Sequence, residues 1–304
     1  MIELTDTNSA EIAAEFVRAR IKAGSPAMGM VMTLIIVVDE EDTPDAMEAA
    51  RMASREHPAR VLGVILGDAR GHAEVNAQVG IGEAWTGETA LIRLRGEEVK
   101  HSESVVLPLL LPDSPVAIWW PKNAPADPAA DPLGALAQRR ITDAAAATRG
   151  KTRAMHTMCS TYAKGNTDLA WTRITPWRAL LAAALDQHPL KVRRASVTAE
   201  RISPSAELLR AWLNDRLHVQ VDRENSRGPG ITEVVLDTKE GPIRISRLDG
   251  KLATFSSPDR PDRPVALKRR DLPDLLAEEL RRLDEDDVYA ATTRRLHRSH
   301  GGSS

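Results

Sequence analysis

Two unbroken apolar runs with one helix between them constrain this chain more than any other feature. Residues 31–38 (VMTLIIVV) are continuous and rich in β-branched side chains, and residues 60–66 (RVLGVIL) repeat the character. A run without polar alternation is a strand buried on both faces, as in a parallel sheet. Between the runs, Thr43-Pro44 opens a helix to about Glu56. The threonine is placed to cap free amides, and proline at the first helical position forfeits no hydrogen bond. Strand, helix and strand make a βαβ unit with a right-handed crossover. Residues 115–121 (PVAIWWP) predict another such strand: Val116, Ile118 and Trp120 face one way, Ala117 and Trp119 the other. Both sets are apolar, so the strand is central. Alternation over 73–81 and 88–95 around a glycine-rich turn predicts an antiparallel pair, with helices at 9–22 and 101–111. The first domain, 1–160, therefore reads as α/β with a mixed, mostly parallel sheet.

Residues 121–132 are a Pro- and Ala-rich loop, 132–140 a short helix, and 144–167 are weakly patterned, which places the boundary there. In the second domain, 161–304, Thr175-Pro176 and Ser203-Pro204 open helices to Gln187 and Leu217. A strand at 192–200 is followed by strands at 218–223, 231–237, 242–248 and 251–256. Their turns GPG, KEGP and LDGK predict an antiparallel meander. A helix over 272–283 and a frayed tail, HRSHGGSS, complete an α+β domain.

Composition removes several classes of function. A net charge of −2 over 304 residues lacks the surplus of cations that nucleic-acid binding requires. The longest apolar run, Met28 to Val38, falls short of the about 20 residues a membrane span needs. The single cysteine, Cys159, allows no internal disulfide, and acids precede any basic cluster at the N-terminus. Both point to the cytoplasm.

Motifs for catalysis or cofactors fail at named residues. Gly82-Glu83-Ala84-Trp85-Thr86-Gly87-Glu88-Thr89 has the glycine spacing of a phosphate loop, but Glu88 stands where lysine is required. Gly80-Ile81-Gly82 lacks the third glycine of a dinucleotide fingerprint, having Trp85 there. His101-Ser102-Glu103 begins like a zinc deaminase motif, but a Cys-x-x-Cys pair is impossible with one cysteine. The histidines show no HExxH spacing, and no Gly-x-Ser-x-Gly elbow occurs. Hence no metal, cofactor or catalytic residue is assigned.

Six tryptophans stand beside only two phenylalanines and two tyrosines. Trp119 and Trp120 end a strand; Arg139, Arg140 and Asp143 follow the short helix; Trp171, Arg173, Trp177 and Arg178 cluster at a helix entry. Trp and Arg are enriched at binding hot spots, which makes these nine residues candidates for a partner surface. Against that, Trp is also a large core filler, and Trp177, Leu181, Ala184 and Leu185 form one helical stripe. A second reading places a small-molecule site, for a sugar phosphate, at the strand ends near Asp39, Trp119 and Trp120. Arg139 and Arg140 would then hold the phosphate.

The segments SREHPARVLGVI (54–65), HSESVVLPLLLPDSPVAIWWP (101–121), DPLGALAQRRITDA (131–144), GNTDLAWTRITPWRALLAAALDQ (165–187) and AEELRRLDEDDVYA (277–290) resemble OpcA, the glucose-6-phosphate dehydrogenase assembly family, and its actinobacterial branch most closely. The resemblance runs in order along nearly the whole chain. It implies a non-enzymatic protein that binds glucose-6-phosphate dehydrogenase and promotes its active oligomer. It carries no catalytic set. Cyanobacterial relatives tie cysteines to thioredoxin control; here only Cys159 is available, which leaves an intermolecular disulfide as the one form open.

Overall fold

A computed structural model describes residues 1–22, 29–82, 87–187, 190–247, 252–258 and 260–301. From the N-terminus the chain runs β1 (Ile2–Leu4), α1 (Ser9–Lys22), β2 (Met32–Val37), α2 (Thr43–Ala53), β3 (Ala59–Leu66), β4 (Glu74–Gly82), β5 (Gly87–Arg95), α3 (Ser102–Val106), β6 (Val116–Trp119) and β7 (Arg139–Thr142). It continues through α4 (Lys151–Ser160), β8 (Asn166–Asp168), α5 (Leu169–Thr172), α6 (Thr175–Gln187), β9 (Arg194–Glu200) and α7 (Pro204–Leu217). Next come β10 (Val221–Ser226), β11 (Ile231–Asp237), β12 (Pro242–Ser246), β13 (Leu252–Ser256), β14 (Arg263–Ala266), α8 (Leu272–Arg281) and α9 (Asp287–Gly301). Contacts gather these into two compact units. The first holds Met1–Asp143, Gly165–Thr167 and Leu272–Glu285; the second holds Ala144–Lys164, Asp168–Asp271 and the segment from Asp286 onward.

The first unit is built on an eight-stranded sheet of order β1-β4-β5-β3-β2-β6-β7-β8. Strands β5, β3, β2, β6 and β7 run parallel, and β4 and β1 continue antiparallel from β5. Ile35 of β2 lies opposite both Leu62 and Ile118, so the apolar runs read from the sequence form the centre of the sheet. On one face Ile12 and Phe16 of α1 pack with Ile35, Leu62, Ile92, Ile118 and Trp120. The other face receives α2, which also packs on α8. Gly63 is needed there: a Cβ would stand 2.9 Å from both the Met47 sulfur and a Leu91 methyl.

The second unit carries a six-stranded sheet of order β10-β9-β11-β12-β13-β14. Strands β9, β11, β12, β13 and β14 are antiparallel neighbours; the β11–β12 and β12–β13 pairs are the ones the turns KEGP and LDGK predict. Ala195, Val197, Val234, Leu236, Ile243, Ile245 and Phe255 share one core with Trp177 and Leu209. Ser203 caps α7 by accepting from the Ala206 amide, and His218 ends it in the left-handed region at φ 55°.

Several expectations are corrected. The short helix over 132–140 is a single 3₁₀ turn at Gly134–Leu136 followed by strand β7, whose side chains are all buried. Two arginines made this strand read as polar, but burial is tolerated because protein acceptors satisfy them. The helix over 101–111 is α3 followed by a 3₁₀ turn at Leu107–Leu109, where Pro108 cannot donate to an α-helical ladder. The weakly patterned 144–167 contains α4 and β8. Thr43 lies inside α2 and does not cap it; its hydroxyl donates to the Asp39 carbonyl. Strand β10 is not part of the antiparallel meander but pairs parallel to β9, across α7. The tail beyond His297 continues α9 to Gly301. Met28, residues 83–86 of the glycine turn with Trp85, the LDGK turn (248–251) and residues 302–304 lie outside the described residues.

Candidate functional site

In an open α/β sheet, ligands bind at the carboxyl ends of the strands where the strand order reverses. Here the reversal falls between β2 and β6: from β2 the chain crosses to β3 on one side, and β6 later adds on the other. A pocket of about 160 Å³ lies there, lined by Val38, Asp39, Asp42, Leu66, Trp120 and Lys122 among others. It is smaller than the roughly 300–1,000 Å³ of typical small-molecule sites. The segment entering α2 is Asp39-Glu40-Glu41-Asp42, where a phosphate-binding fold would offer glycines. Carboxylates already occupy the positive end of the helix dipole and repel an incoming phosphate. Lys122 is tied to Asp42, and that bond, with Glu41 and Asp39 nearby, holds its ammonium above the usual lysine range.

Arg139 and Arg140 lie on β7, the strand next to β6, and are engaged inside the first unit. Arg139 pairs with Glu279 at 2.5 Å and donates to the Asp284 carbonyl at 3.1 Å. Arg140 donates to Asn166 Oδ1 and to the Ala137 carbonyl, each at 2.6 Å. Gly165 makes this approach possible: at φ +86°, a Cβ there would meet the Gln138 carbonyl oxygen at 2.1 Å. Asp143 is buried as well. Trp119 and Trp120 are buried on opposite faces of β6, as their alternation predicts.

In the second unit, Trp171 and Trp177 are buried, whereas Arg173 and Arg178 are half-buried. The Arg178 guanidinium lies 3.6 Å from the Trp171 ring centroid, a cation–π contact. Trp171 in turn packs on Tyr289, and Tyr289 meets Tyr162 edge-on. The Trp171 indole donates to Asp286 at 2.8 Å, and the other Asp286 oxygen accepts from the Tyr289 amide. Asp168, fully buried, accepts from the Ala144 and Ala170 amides. Arg247 lies over the ring of Trp177 and donates to two buried carbonyls. The sequence cluster is thus a packed aromatic latch at the start of α5 and α6, with Arg173 and Arg178 toward its outside. Cys159 is buried against Met155, and burial pushes its thiol pKa upward, away from the reactive thiolate.

Glu88, the residue that breaks the phosphate-loop pattern, is a buried anchor. It pairs with Arg60 and with Arg20 at 2.8 Å, and Arg60 also stacks over Phe16. A lysine at 88 would set three cations against one another. Sequence reasoning missed a cleft of about 520 Å³ at the ends of β3 and β5, lined by Arg70, His72, Arg93, Arg95 and Glu40 among others. Arg93 grips Glu40 with two nitrogens, and this bond holds the Glu40 carboxyl below its usual range. The available signal was the pair Arg93 and Arg95 at the end of the alternating run 88–95. Among the described residues, no helix is long and apolar enough to cross a membrane. No group of three or more His, Cys, Asp or Glu among them could hold a metal ion.

The chain matches the glucose-6-phosphate dehydrogenase subunit N-terminal domain over residues 50–160 and its C-terminal domain over residues 164–293. No curated protein sequence matches it. Among solved structures it is similar to KijD10, a 3-ketoreductase from Actinomadura kijaniata in complex with NADP and TDP-benzene. Identity is 9%, covering 87% of this chain and 94% of that one, at a TM-score of 0.48. A single-site mutant of that ketoreductase, with the same two ligands, aligns equally, with 9% identity, coverage of 88% and 96%, and a TM-score of 0.48. A trehalose-6-phosphate structure from E. coli, bound with UDP-2-fluoro glucose, aligns with 11% identity over 64% of this chain and 65% of its own, at a TM-score of 0.26. With both domains matched in order, the chain belongs to the OpcA family of glucose-6-phosphate dehydrogenase assembly proteins.

Proposed function

We propose that the protein is a non-enzymatic, cytoplasmic assembly factor that binds glucose-6-phosphate dehydrogenase. It promotes the active oligomer and so serves as an allosteric activator in the oxidative pentose phosphate pathway. The ordered match to both domains of the family carries this reading. Its physics is differential binding: a protein that favours one assembly of the dehydrogenase raises the population of that assembly. The acidic strand-end crevice supports the absence of phosphate-cofactor chemistry, because four carboxylates stand where a phosphate would be held.

Of the nine partner candidates, Arg173 and Arg178 are the ones we propose to meet a partner. Trp119, Trp120, Arg139, Arg140 and Asp143 are buried in the first unit, and Trp171 and Trp177 in the second. The sugar-phosphate alternative loses its intended ligands, since Arg139 and Arg140 are buried with protein partners.

The test is an assay of dehydrogenase activity with and without the protein, paired with sizing of the mixture. A rise in rate together with a larger species is the expected result. No complex and no change in rate or substrate affinity would overturn the reading.

A further inference from the structure

The side of the second sheet turned away from its core has the composition of a docking surface. On β9, β11, β12 and β13 every second residue is buried, and the residues between them are exposed or half-exposed. Register defines two rows across this side. One runs Asp222, Ser196, Val235, Arg244, Ser256; the next runs Glu224, Thr198, Glu233, Ser246, Thr254, Pro264. Five Ser and Thr residues stand in these rows beside one ion pair, Arg244 with Glu233 at 3.4 Å. The Ser and Thr side chains lose little rotamer freedom when covered. Six strands about 4.8 Å apart and roughly 20 Å long present some 500 Å² in plan. Covered by a partner of equal size, that reaches the approximately 1,000 Å² expected of a specific interface.

Charge selects the occupant. Five carboxylates (Asp222, Glu224, Glu200, Glu233 and Asp237) share this side with two guanidiniums, Arg194 and Arg244, a net charge of −3. The acids crowd onto β10, β9 and β11. Two copies meeting through this face would bring like charges together in a low-dielectric interface, which disfavours a dimer. We propose that this face docks a folded partner that brings positive charge to it. Resting on the function proposed above, that partner is the dehydrogenase.

The experiment uses the full chain and its cognate dehydrogenase, with binding measured by calorimetry and sizing at two salt concentrations. Ser246→Arg puts bulk and positive charge in the centre of the face; Met52→Arg, at an exposed position of α2 in the other unit, is the matched control. Ser246→Arg is expected to weaken binding at least tenfold, and Met52→Arg to leave it unchanged. The near-isosteric double change Glu200→Gln, Glu224→Gln guards against misfolding; it is expected to slow association and flatten the salt dependence. If the wild type binds and every variant binds equally, the surface is wrong while the function stands. Should the wild type fail to bind, both fall. A wild-type dimer dissociated by Ser246→Arg would make the occupant a second copy and overturn the proposal.

Discussion

In the first sheet, β2 and β6 carry apolar side chains on both faces, whereas in the second sheet β9, β11 and β12 bury only alternate residues. The two-sided sheet offers its strand ends, the place where ligands enter such folds. There the chain has put Asp39, Glu40, Glu41 and Asp42, a small pocket, and arginines already engaged by buried partners. The one-sided sheet offers a whole face on which hydroxyls and acids outnumber two arginines. The contrast teaches that a two-sided sheet leaves only its strand ends to ligands, and here the crevice between β2 and β6 is filled by its own charges, whereas a one-sided sheet presents a whole face.

The largest effects should fall on the two-sided sheet. Trp119→Ala, in a strand with no exposed face, is expected to cost about 3–5 kcal/mol in urea unfolding. Ser246→Arg on the one-sided sheet is expected to stay within about 0.5 kcal/mol. Similar costs for the two would break the comparison. Glu279→Ala strands the buried Arg139 guanidinium and is expected to cost about 3–5 kcal/mol. Replacing both partners by Met and Leu should recover most of that loss, because neither charge is then left buried alone. Failure of the rescue would mean that the pair, and not just its satisfaction, holds β7.

Smaller effects sharpen the picture around Trp171. Asp286→Ala removes the acceptor of the indole and the first amide bond of α9, and is expected to cost about 1–2 kcal/mol. A thiol reagent at neutral pH should leave Cys159 unmodified in the folded protein and modify it on unfolding, since burial keeps the thiol protonated. Rapid native labelling would reopen an intermolecular redox role. The smallest effect is electrostatic. Arg93 depresses the Glu40 pKa, so this pair favours the folded state above the ordinary carboxylate range and loses its effect as pH falls through the depressed value. After Arg93→Met, an NMR titration of Glu40 should move its midpoint upward. An unmoved midpoint would show that another group sets it.

The paired apolar runs and Trp119–Trp120 were legible because unbroken β-branched patterning has one physical outlet, a strand covered on both sides. Strand β7 was not, because Arg139 and Arg140 look like surface until Glu279 and Asn166, far away in sequence, are brought to them. Helix α9 was hidden for a related reason. Its buried stripe includes Thr292 and Thr293, whose hydroxyls bond back to helix carbonyls and so enter the core without the signature of apolar periodicity. The direction of β10 was equally invisible, since alternation reports which face is buried and not which way a neighbour runs.

Local chemistry in the sequence by itself therefore determined the central parallel strands, the antiparallel run from β11 to β13, the Ser203 cap, and the exclusion of a phosphate loop at Glu88. Each depends on neighbours a few residues apart, or on a single charge of the wrong sign. Tertiary structure alone decided that the Trp and Arg candidates divide into a buried framework and two half-buried arginines. It also decided that Glu88 is a buried anchor for Arg20 and Arg60, and that one face of the second sheet stays open. Those outcomes depend on which distant groups meet to satisfy a buried charge or cover a face, and no local pattern encodes that pairing.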